Sequence, residues 1–232
     1  MRLIYKEKAD SESYIKYLRS IGMEIGDNCM IFTPRNVLID TQYPWMTKIG
    51  NNVQITQGVS IIDHDYSWSV LKHISNGIGS GNVLGASGKI EIGNNVFIGV
   101  GSTILRNVKI GNNVIIGANS LVSKDCLDNG VYAGNPAKFI MSIDDYYNKR
   151  ENFQFEEAKI LVQQYKQKFG VFPREELLYE YFMLFRKDDS LDRFKNTLDL
   201  TGNGFESRKY LRNHVPMFAC YEDFLNSCNC EE

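Results

Sequence analysis

The side chains best suited to chemistry in this sequence stand together in one segment, Asp63-His64-Asp65-Tyr66-Ser67-Trp68-Ser69. An imidazole, with an unperturbed pKa of about 6.5, can take a proton from a hydroxyl near neutral pH. A neighbouring carboxylate can fix its tautomer and stabilise its charged form. A histidine between two aspartates can also be a solvated loop residue. Whether His64 is a catalytic base or a solvated loop residue therefore depends on the elements that position it.

Apolar residues recur every six positions in two long stretches of the chain. This period fits neither an α-helix nor a half-buried strand, so it predicts a repeating coil. The positions are Ile25, Ile31, Val37, Ile49, Ile55 and Ile61 in the first stretch and Ile92, Ile98, Ile104, Ile110, Ile116 and Val122 in the second. Three six-residue segments make one coil of eighteen residues, the separation of Ile92 and Ile110. Stacked coils bury one aliphatic column and pair their backbones with the coils on either side.

The corners of the coil are predicted from a recurring pentad. Ile-Gly-Asn-Asn-Val stands at 49–53, 92–96 and 110–114. Glycine and asparagine accept a positive φ at the lowest cost, so each Gly-Asn-Asn is expected to join two short straight segments. At position 43, Tyr43 replaces the expected aliphatic residue, which predicts a locally bulged coil.

The repeat is interrupted once, and the histidine segment lies in the interruption. Ile61 and Ile92 are 31 residues apart, one more than five repeats, so the phase is lost between them. We expect an inserted loop over 62–88, because long loops on rigid scaffolds are where functional residues concentrate.

Three regions are predicted along the chain. Residues 1–21 form an N-terminal lead-in with a short helix over Ser11–Ser20, and residues 22–140 form the repeat domain. Residues 141–232 lose the period of six and take helical spacing. Their first helix is expected over Ser142–Phe169, with a break near Asn152.

Composition limits the classes of function. A formal net charge of −2, without a dominant basic cluster, gives no reason to expect a nucleic-acid surface. No run of eighteen apolar residues and no signal-peptide pattern is present, so no integral membrane segment and a cytoplasmic location are expected. Five scattered cysteines fit reduced thiols. Cys228 and Cys230 lack further ligands at a recognised spacing, so no metal site is expected there.

The repeats, the histidine segment and a closing motif together resemble one family. That motif is Tyr132-Ala133-Gly134-Asn135-Pro136-Ala137-Lys138. Over about 22–140 the chain resembles the hexapeptide-repeat acyltransferases, specifically their sugar and xenobiotic O-acetyltransferase branch and the enzymes of capsular or surface-polysaccharide synthesis. The resemblance implies a left-handed parallel β-helix followed by a helical appendage. It also implies a homotrimer with active sites at subunit boundaries, acetyl-coenzyme A as co-substrate, no required metal, and a sugar or polysaccharide-precursor acceptor.

The resemblance also assigns roles around the loop. His64 takes the position of the catalytic base. Asp63, Asp65, or a carboxylate or carbonyl from elsewhere in the chain would orient it. Tyr66 and Trp68 would form a wall of the acceptor pocket, since aromatic faces pack against sugar rings, although burial against a neighbouring coil explains them equally well.

The resemblance to the family motifs also assigns residues to a groove that would bind the coenzyme. The matching positions are Gly99, Val100, Gly117, Ala118, Ser123, Lys124 and Lys138. Small residues at corners and solvated lysines would also be present without a coenzyme. The family has a second basic residue a little beyond Lys138, and Met141 stands at that place here.

Three other readings stay in view. A zinc carbonic anhydrase on the same coil needs three histidines, and this chain has none between His73 and His214. A non-catalytic trimeric scaffold is compatible with the fold. N-acetylation of a nucleotide-linked amino sugar would use the same base, and the sequence does not separate it from O-acetylation.

Overall fold

A computed structural model describes residues 6–74 and 80–228. The chain divides into two compact units, Met1–Tyr146 and Tyr147–Glu232. The first unit begins with a short 3-10 helix, Lys6–Lys8, and helix α1, Ser11–Ser20. Asp10 caps α1 by accepting the Ser13 N–H at 2.8 Å, which satisfies one of the free amides at a helix start. The predicted helix in the lead-in is confirmed.

Short strands build the rest of the first unit. They are β1 Glu24–Ile25, β2 Met30–Ile31, β3 Leu38–Ile39, β4 Thr47–Ile49, β5 Val53–Ile55, β6 Ser60–Ile62, β7 Ile90–Ile92, β8 Val96–Ile98, β9 Thr103–Leu105, β10 Val108–Ile110, β11 Val114–Ile116, β12 Leu121–Val122, β13 Gly130–Ala133 and β14 Lys138–Ser142. Sheet A has the order β1-β4-β7-β10, sheet B β14-β13-β11-β8-β5-β2 and sheet C β12-β9-β6-β3. All pairs are parallel except β13 with β14. The chain passes through the three sheets in turn, which fits the left-handed β-helix that the resemblance implies.

Strand pairing confirms the coil of eighteen residues. Ile92 is aligned with Ile110 in sheet A, and the same offset recurs between β8 and β11 and between β9 and β12. Of the twelve residues predicted to point inward, all but Ile25 are buried, and Ile25 is partly buried against the same core. The aliphatic column therefore excludes water along its length.

The corners also follow the prediction. In each Gly-Asn-Asn the second asparagine has a positive φ, between 54° and 56° at Asn52, Asn95 and Asn113. The first asparagine ties neighbouring coils together, as where Asn94 Oδ1 accepts the Asn51 N–H at 2.8 Å. These bonds satisfy the corner amides that no strand can pair.

The chain leaves the coil after β6 and returns at β7. A 3-10 helix, Ser67–His73, begins within the histidine segment, and two backbone hydrogen bonds join this segment to the part of the loop that leads back to β7. The Asp65 N–H donates to Ala86 O at 2.9 Å, and the Gly88 N–H donates to Asp63 O at 2.8 Å. The expected bulge at Tyr43 is a 3-10 helix over Pro44–Met46.

The second unit is helical around its own core. Helix α2, Ile143–Phe169, is continuous, so the predicted break near Asn152 is wrong; a single asparagine costs a helix interior only about 0.7 kcal/mol. It is followed by α3 Asp192–Leu198, α4 Gly204–Asn213 and α5 Tyr221–Cys228, with 3-10 helices Glu175–Leu178, Phe182–Leu184 and Leu200–Gly202. Large buried side chains include Phe182, Phe194 and Phe224. Across residues 6–74 and 80–228, no helix combines the length and the apolar character needed to cross a bilayer.

Candidate active site

The carboxyl ends of the sheet C strands bring the candidate catalytic residues together. Strands β3, β6, β9 and β12 are parallel and in register, so the residues that follow them lie along one edge of the sheet. The residues at these ends include Asp40, Asp63, Arg106 and Ser123. His64 follows Asp63, where the chain starts to leave the coil. Residues far apart in sequence thus meet around one imidazole.

A carboxylate holds the imidazole of His64. Its Nδ1 is hydrogen-bonded to Oδ2 of Asp40, and the two side chains are 18% and 10% exposed. Burial opposes ionisation of Asp40, but the Gln42 N–H, Asp63 and His64 outweigh it and lower the pKa of Asp40. Because an ionised Asp40 only accepts, Nδ1 carries the proton of a neutral His64 and Nε2 keeps a free lone pair.

Asp63 lies behind this pair and is fully buried. Its Oδ1 is 3.4 Å from His64 Nδ1, and neither carboxyl oxygen accepts a hydrogen bond from any residue that the structure describes. Burial and the adjacent Asp40 raise the pKa of Asp63 to about 6, and His64 opposes this shift. The pKa shifts of Asp63 and Asp40 therefore have opposite directions, and the two side chains also differ in exposure.

Asp65 has partners other than the imidazole. It accepts hydrogen bonds from the Ser67 hydroxyl and N–H, and its Oδ2 lies 2.9 Å from Arg106 Nε. Hydrogen bonds from Ser67 and from Arg106 lower the pKa of Asp65 to about 2. Asp65 thus fastens the loop to the neighbouring coil, while the carboxylate that orients His64 comes from elsewhere in the chain, from Asp40.

Four aromatic side chains lie next to the imidazole of His64 or next to one another. The ring centroid of His64 lies 5.9 Å from Tyr43 and 5.2 Å from Tyr66, both in edge-to-face geometry. The ring centroid of Trp45 lies 5.9 Å from that of Tyr43, and the ring centroid of Trp68 lies 6.0 Å from that of Tyr66. The structure thus places Tyr66 and Trp68 near His64, and it adds Tyr43 and Trp45. We call these four side chains the aromatic row.

Gln42 links the two tyrosines of the aromatic row. Its Oε1 accepts a hydrogen bond from the Tyr66 hydroxyl at 3.0 Å, and its Nε2 donates to the Tyr43 hydroxyl at 3.1 Å. Tyr66 and Trp45 are nevertheless 57% and 67% exposed. An aromatic surface that is fixed by hydrogen bonds and left open to solvent is suited to contact a ligand.

A cavity of about 370 Å³ opens beside His64. Its lining consists of Ile62, His64, Asp65, Leu105, Arg106, Asn107 and Ser123. The volume lies in the range of small-molecule sites. Ser123, predicted as a coenzyme contact, is therefore brought to the same cavity as the imidazole.

The cluster of Asp40, Asp63 and His64 also has the composition of a metal site. One atom from each lies within 4.8 Å of the others, and no other such group of three occurs within 6–74 and 80–228. In the structure the imidazole Nδ1 and Asp40 Oδ2 are hydrogen-bonded directly to each other. Cys230, considered above with Cys228, lies outside the described residues.

Comparison with known proteins gives the family of this chain. The family described as "Bacterial transferase hexapeptide (six repeats)" matches residues 89–124. Protein CapG of Staphylococcus aureus is 42% identical over 132 residues, which span 57% of this chain and 73% of that protein. The chain belongs to the hexapeptide-repeat acyltransferase family. The family resemblance seen in the sequence is confirmed.

Solved structures of similar proteins include two acetyltransferases. A maltose O-acetyltransferase from Clostridium difficile 630 has 25% identity and a TM-score of 0.43, with 61% of this chain and 81% of that one covered. A hexapeptide-repeat acetyltransferase from Vibrio cholerae, solved with acetyl coenzyme A, has 18% identity and a TM-score of 0.44, with 61% and 82% covered.

In this hexapeptide-repeat acyltransferase, four predicted coenzyme residues form one corner stack. Gly99 and Gly117 follow β8 and β11, and Gly99 N–H donates to Ile116 O at 2.8 Å. A Cβ on Gly99 would lie 2.6 Å from the Ala118 nitrogen, so this close approach requires glycine. Val100 and Ala118 are exposed on the outside of the stack. This corner joins sheets B and C, at the opposite edge of sheet C from His64.

The remaining predicted coenzyme residues are exposed at the end of the coil. Lys124 follows Ser123 beyond β12, and Lys138 begins β14. The segment before Lys138 covers β12, with Leu121 N–H donating to Gly134 O at 3.0 Å and Ala137 N–H to Leu121 O at 2.8 Å. Ser123 and Lys124 thus lie at the histidine edge of sheet C, whereas Lys138 is aligned with Ala133 at the end of β13, on the side of the sheet B to sheet C corner.

Sequence analysis did not name Asp40, Gln42, Tyr43 or Arg106 as site residues. The repeat contains a signal for Arg106, because Arg106 follows Ile104 by the two residues that separate Asp63 from Ile61. Residues in equivalent positions of stacked coils are neighbours, so this alignment would have placed Arg106 beside the histidine segment.

Proposed function

We propose that this chain is an acetyl-coenzyme A-dependent O-acetyltransferase that acts on a sugar hydroxyl, in the cytoplasmic synthesis of capsular or other surface polysaccharide. The observation that carries the proposal is the state of His64. Asp40 holds Nδ1 as the donor, so Nε2 presents a lone pair beside an open cavity. This is the arrangement of a general base whose tautomer is fixed by a carboxylate.

The chemistry is a direct transfer. Nε2 of His64 takes the hydroxyl proton as the sugar oxygen attacks the thioester carbonyl, and Asp40 stabilises the imidazolium that forms. When the tetrahedral intermediate collapses, the C–S bond breaks and the imidazolium returns the proton to the departing thiolate. Backbone amides receive the developing oxyanion. No covalent enzyme intermediate is needed.

The coenzyme site is proposed to lie between subunits of a homotrimer. Gly99, Val100, Gly117 and Ala118 line the sheet B to sheet C corner, while His64 stands at the other edge of sheet C. Four residues separate Ala118 from Ser123, so the two lie at most about 17 Å apart. A corner of one subunit placed against the histidine edge of the next would bring the thioester to the imidazole. Lys124 and Lys138 would meet the phosphates.

The acceptor is proposed to rest on the aromatic row. Sugar rings present an apolar face, and exposed aromatic rings pack against it while their hydroxyls bind at the edges. Tyr66 and Tyr43 each contact the imidazole of His64. Trp68 contacts Tyr66, and Trp45 contacts Tyr43. The row therefore supports a carbohydrate acceptor with a hydroxyl directed at Nε2.

Release of free coenzyme A thiol from acetyl-coenzyme A with a panel of mono- and oligosaccharides tests the proposal. We expect transfer by the parent chain and a loss of about 10³-fold in kcat for His64→Gln. His73→Gln, which changes an exposed histidine of the same loop, is the matched control and should keep full activity. Equal rates of transfer for the parent chain and His64→Gln would rule out His64 as the base, and coenzyme binding without any transfer would leave a non-catalytic scaffold. A product carrying the acetyl group on nitrogen would make the chain an N-acetyltransferase.

A further inference from the structure

We propose that at mildly acidic pH Asp63 is a neutral carboxylic acid whose hydroxyl donates to the Asp40 carboxylate, so that a chain of acid, carboxylate and imidazole positions His64. Asp63 acts through Asp40 and does not touch the acceptor, so it is a positioning residue. The kinetic part of the inference rests on the proposed function; its spectroscopic part does not.

Burial of Asp63 gives the first reason. Its side chain has no solvent exposure, and neither oxygen accepts a hydrogen bond from the residues within 6–74 and 80–228. An ionised carboxylate in that state has lost water and gained no donor, which is among the costliest arrangements in a protein. A protonated carboxyl removes the charge and turns the group into a donor.

The neighbours of Asp63 supply an acceptor for that donor. One oxygen of Asp40, one oxygen of Asp63 and a ring nitrogen of His64 lie within 4.8 Å of one another, and Asp40 is the carboxylate that also binds the imidazole and the Gln42 N–H. Two adjacent carboxylates do not both ionise readily, so the better hydrogen-bonded one takes the charge. Asp40 and His64 are the titratable groups that act on Asp63, since the nearby Asp65 and Arg106 pair with each other.

The consequence is a single negative charge behind the imidazole. If Asp63 were ionised as well, it would compete with Asp40 for the Nδ1 proton, from 3.4 Å away. As an acid it accepts no proton from His64 and binds the far side of Asp40 instead. The pKa of Asp63, raised to about 6 by burial and by Asp40, is consistent with a proton that stays on while ordinary aspartates are ionised.

Two substitutions in the full-length protein test the role. At about pH 6, Asp63→Asn keeps an uncharged donor of nearly the same shape, so its kcat should stay within about threefold of the parent. Asp63→Leu removes the donor and should lower kcat about tenfold. If Asp63→Asn loses as much activity as Asp40→Asn while it stays folded, Asp63 works as a carboxylate and the proposal fails. Activity that depends on an added divalent metal and disappears in both variants would also overturn it, in favour of a metal centre.

A titration without substrate decides the protonation state directly. In the protein labelled with carboxyl-¹³C aspartate, one signal should titrate near pH 6 and be missing in Asp63→Asn. If every aspartate signal titrates below about pH 5, the proposal is wrong. This result does not depend on transferase activity, so it separates failure of the inference from failure of the proposed function. If Asp63→Asn does not fold, the parent titration still decides the question.

Discussion

The imidazole Nδ1 of His64 is bound by the carboxylate of Asp40, which lies 24 residues earlier in the chain. The contact exists because β3 and β6 are neighbours in sheet C with Ile39 aligned to Ile61, so both strands end at the same edge. The fold therefore provides the histidine with an orienting carboxylate from a different coil.

Asp40→Asn should lower kcat by about 10²-fold to 10⁴-fold, with a smaller change in KM, because the amide no longer holds the required tautomer or stabilises the imidazolium. Steady-state kinetics with acetyl-coenzyme A and the acceptor measure this. Asp65→Asn is the matched control: its carboxylate binds Ser67 and Arg106, so its kcat should fall less than tenfold. If the two variants lose activity equally, Asp40 has no special role.

The aromatic row should control the affinity for the acceptor. Trp45→Ala removes a ring that is 67% exposed and lies beyond Tyr43, so we expect acceptor KM to rise about fivefold to tenfold with little change in kcat. Phe205→Ala, at a ring 73% exposed in the second unit, should leave KM unchanged. An unaltered acceptor KM in Trp45→Ala would place the sugar elsewhere.

The corner stack should control the affinity for the coenzyme. Ala118 is exposed at the sheet B to sheet C corner, and Ala118→Glu would place a negative charge there. We expect the Kd for acetyl-coenzyme A to rise at least tenfold, through steric block and repulsion of the phosphates. Lys109→Glu changes an exposed residue of β10 in sheet A and serves as control. Isothermal titration calorimetry measures both, and equal affinities would remove the corner from the coenzyme site.

The period of six predicted most of the coil, but it did not predict Asp40. Strict counting from Ile31 places the next inward residue at Val37, whereas the strand pairs Ile39 with Ile61. The 3-10 turn Pro34–Asn36 widens that corner, and both Val37 and Ile39 are buried. The two-residue shift conceals the position of Asp40, because register in a β-helix is set by pairing between coils as well as by sequence spacing.

The position of the loop was easier to anticipate than its contacts. Loss of phase between Ile61 and Ile92 located the excursion, and the types of residue in it pointed to His64. The partners of Asp63 and Asp65 depend on strands from three different coils, and their sequence spacing contains no information on which carboxylate meets the imidazole. In the second unit, helical spacing predicted a long helix, and the expected break near Asn152 is absent because the propensity cost of one asparagine is too small to interrupt the helix.

The helical second unit is expected to serve assembly or acceptor positioning. A chain ending at residue 146 keeps every strand of the three sheets. We expect its Kd for acetyl-coenzyme A to stay within about threefold of the parent, while kcat/KM for the acceptor falls or the oligomer dissociates. Calorimetry, acceptor kinetics and light scattering measure these quantities. Unchanged kinetics together with an unchanged oligomer would show that residues 147–232 serve neither purpose.

Asp63 should also make stability depend on pH in a direction opposite to most aspartates. Its pKa is raised to about 6 in the folded protein, against about 3.9 for an unfolded aspartate, so the folded state binds this proton more tightly. The stabilisation that this gives is complete below about pH 4 and is lost as pH rises through about 6. Asp63→Asn has no such titration, so its free energy of unfolding relative to the parent should increase between those values, by about 2 kcal/mol in total. Urea unfolding at about pH 4 and about pH 7 measures the change, with Asp144→Asn, at an exposed site, as control. A difference that is the same at both pH values would mean that Asp63 titrates like an ordinary carboxyl.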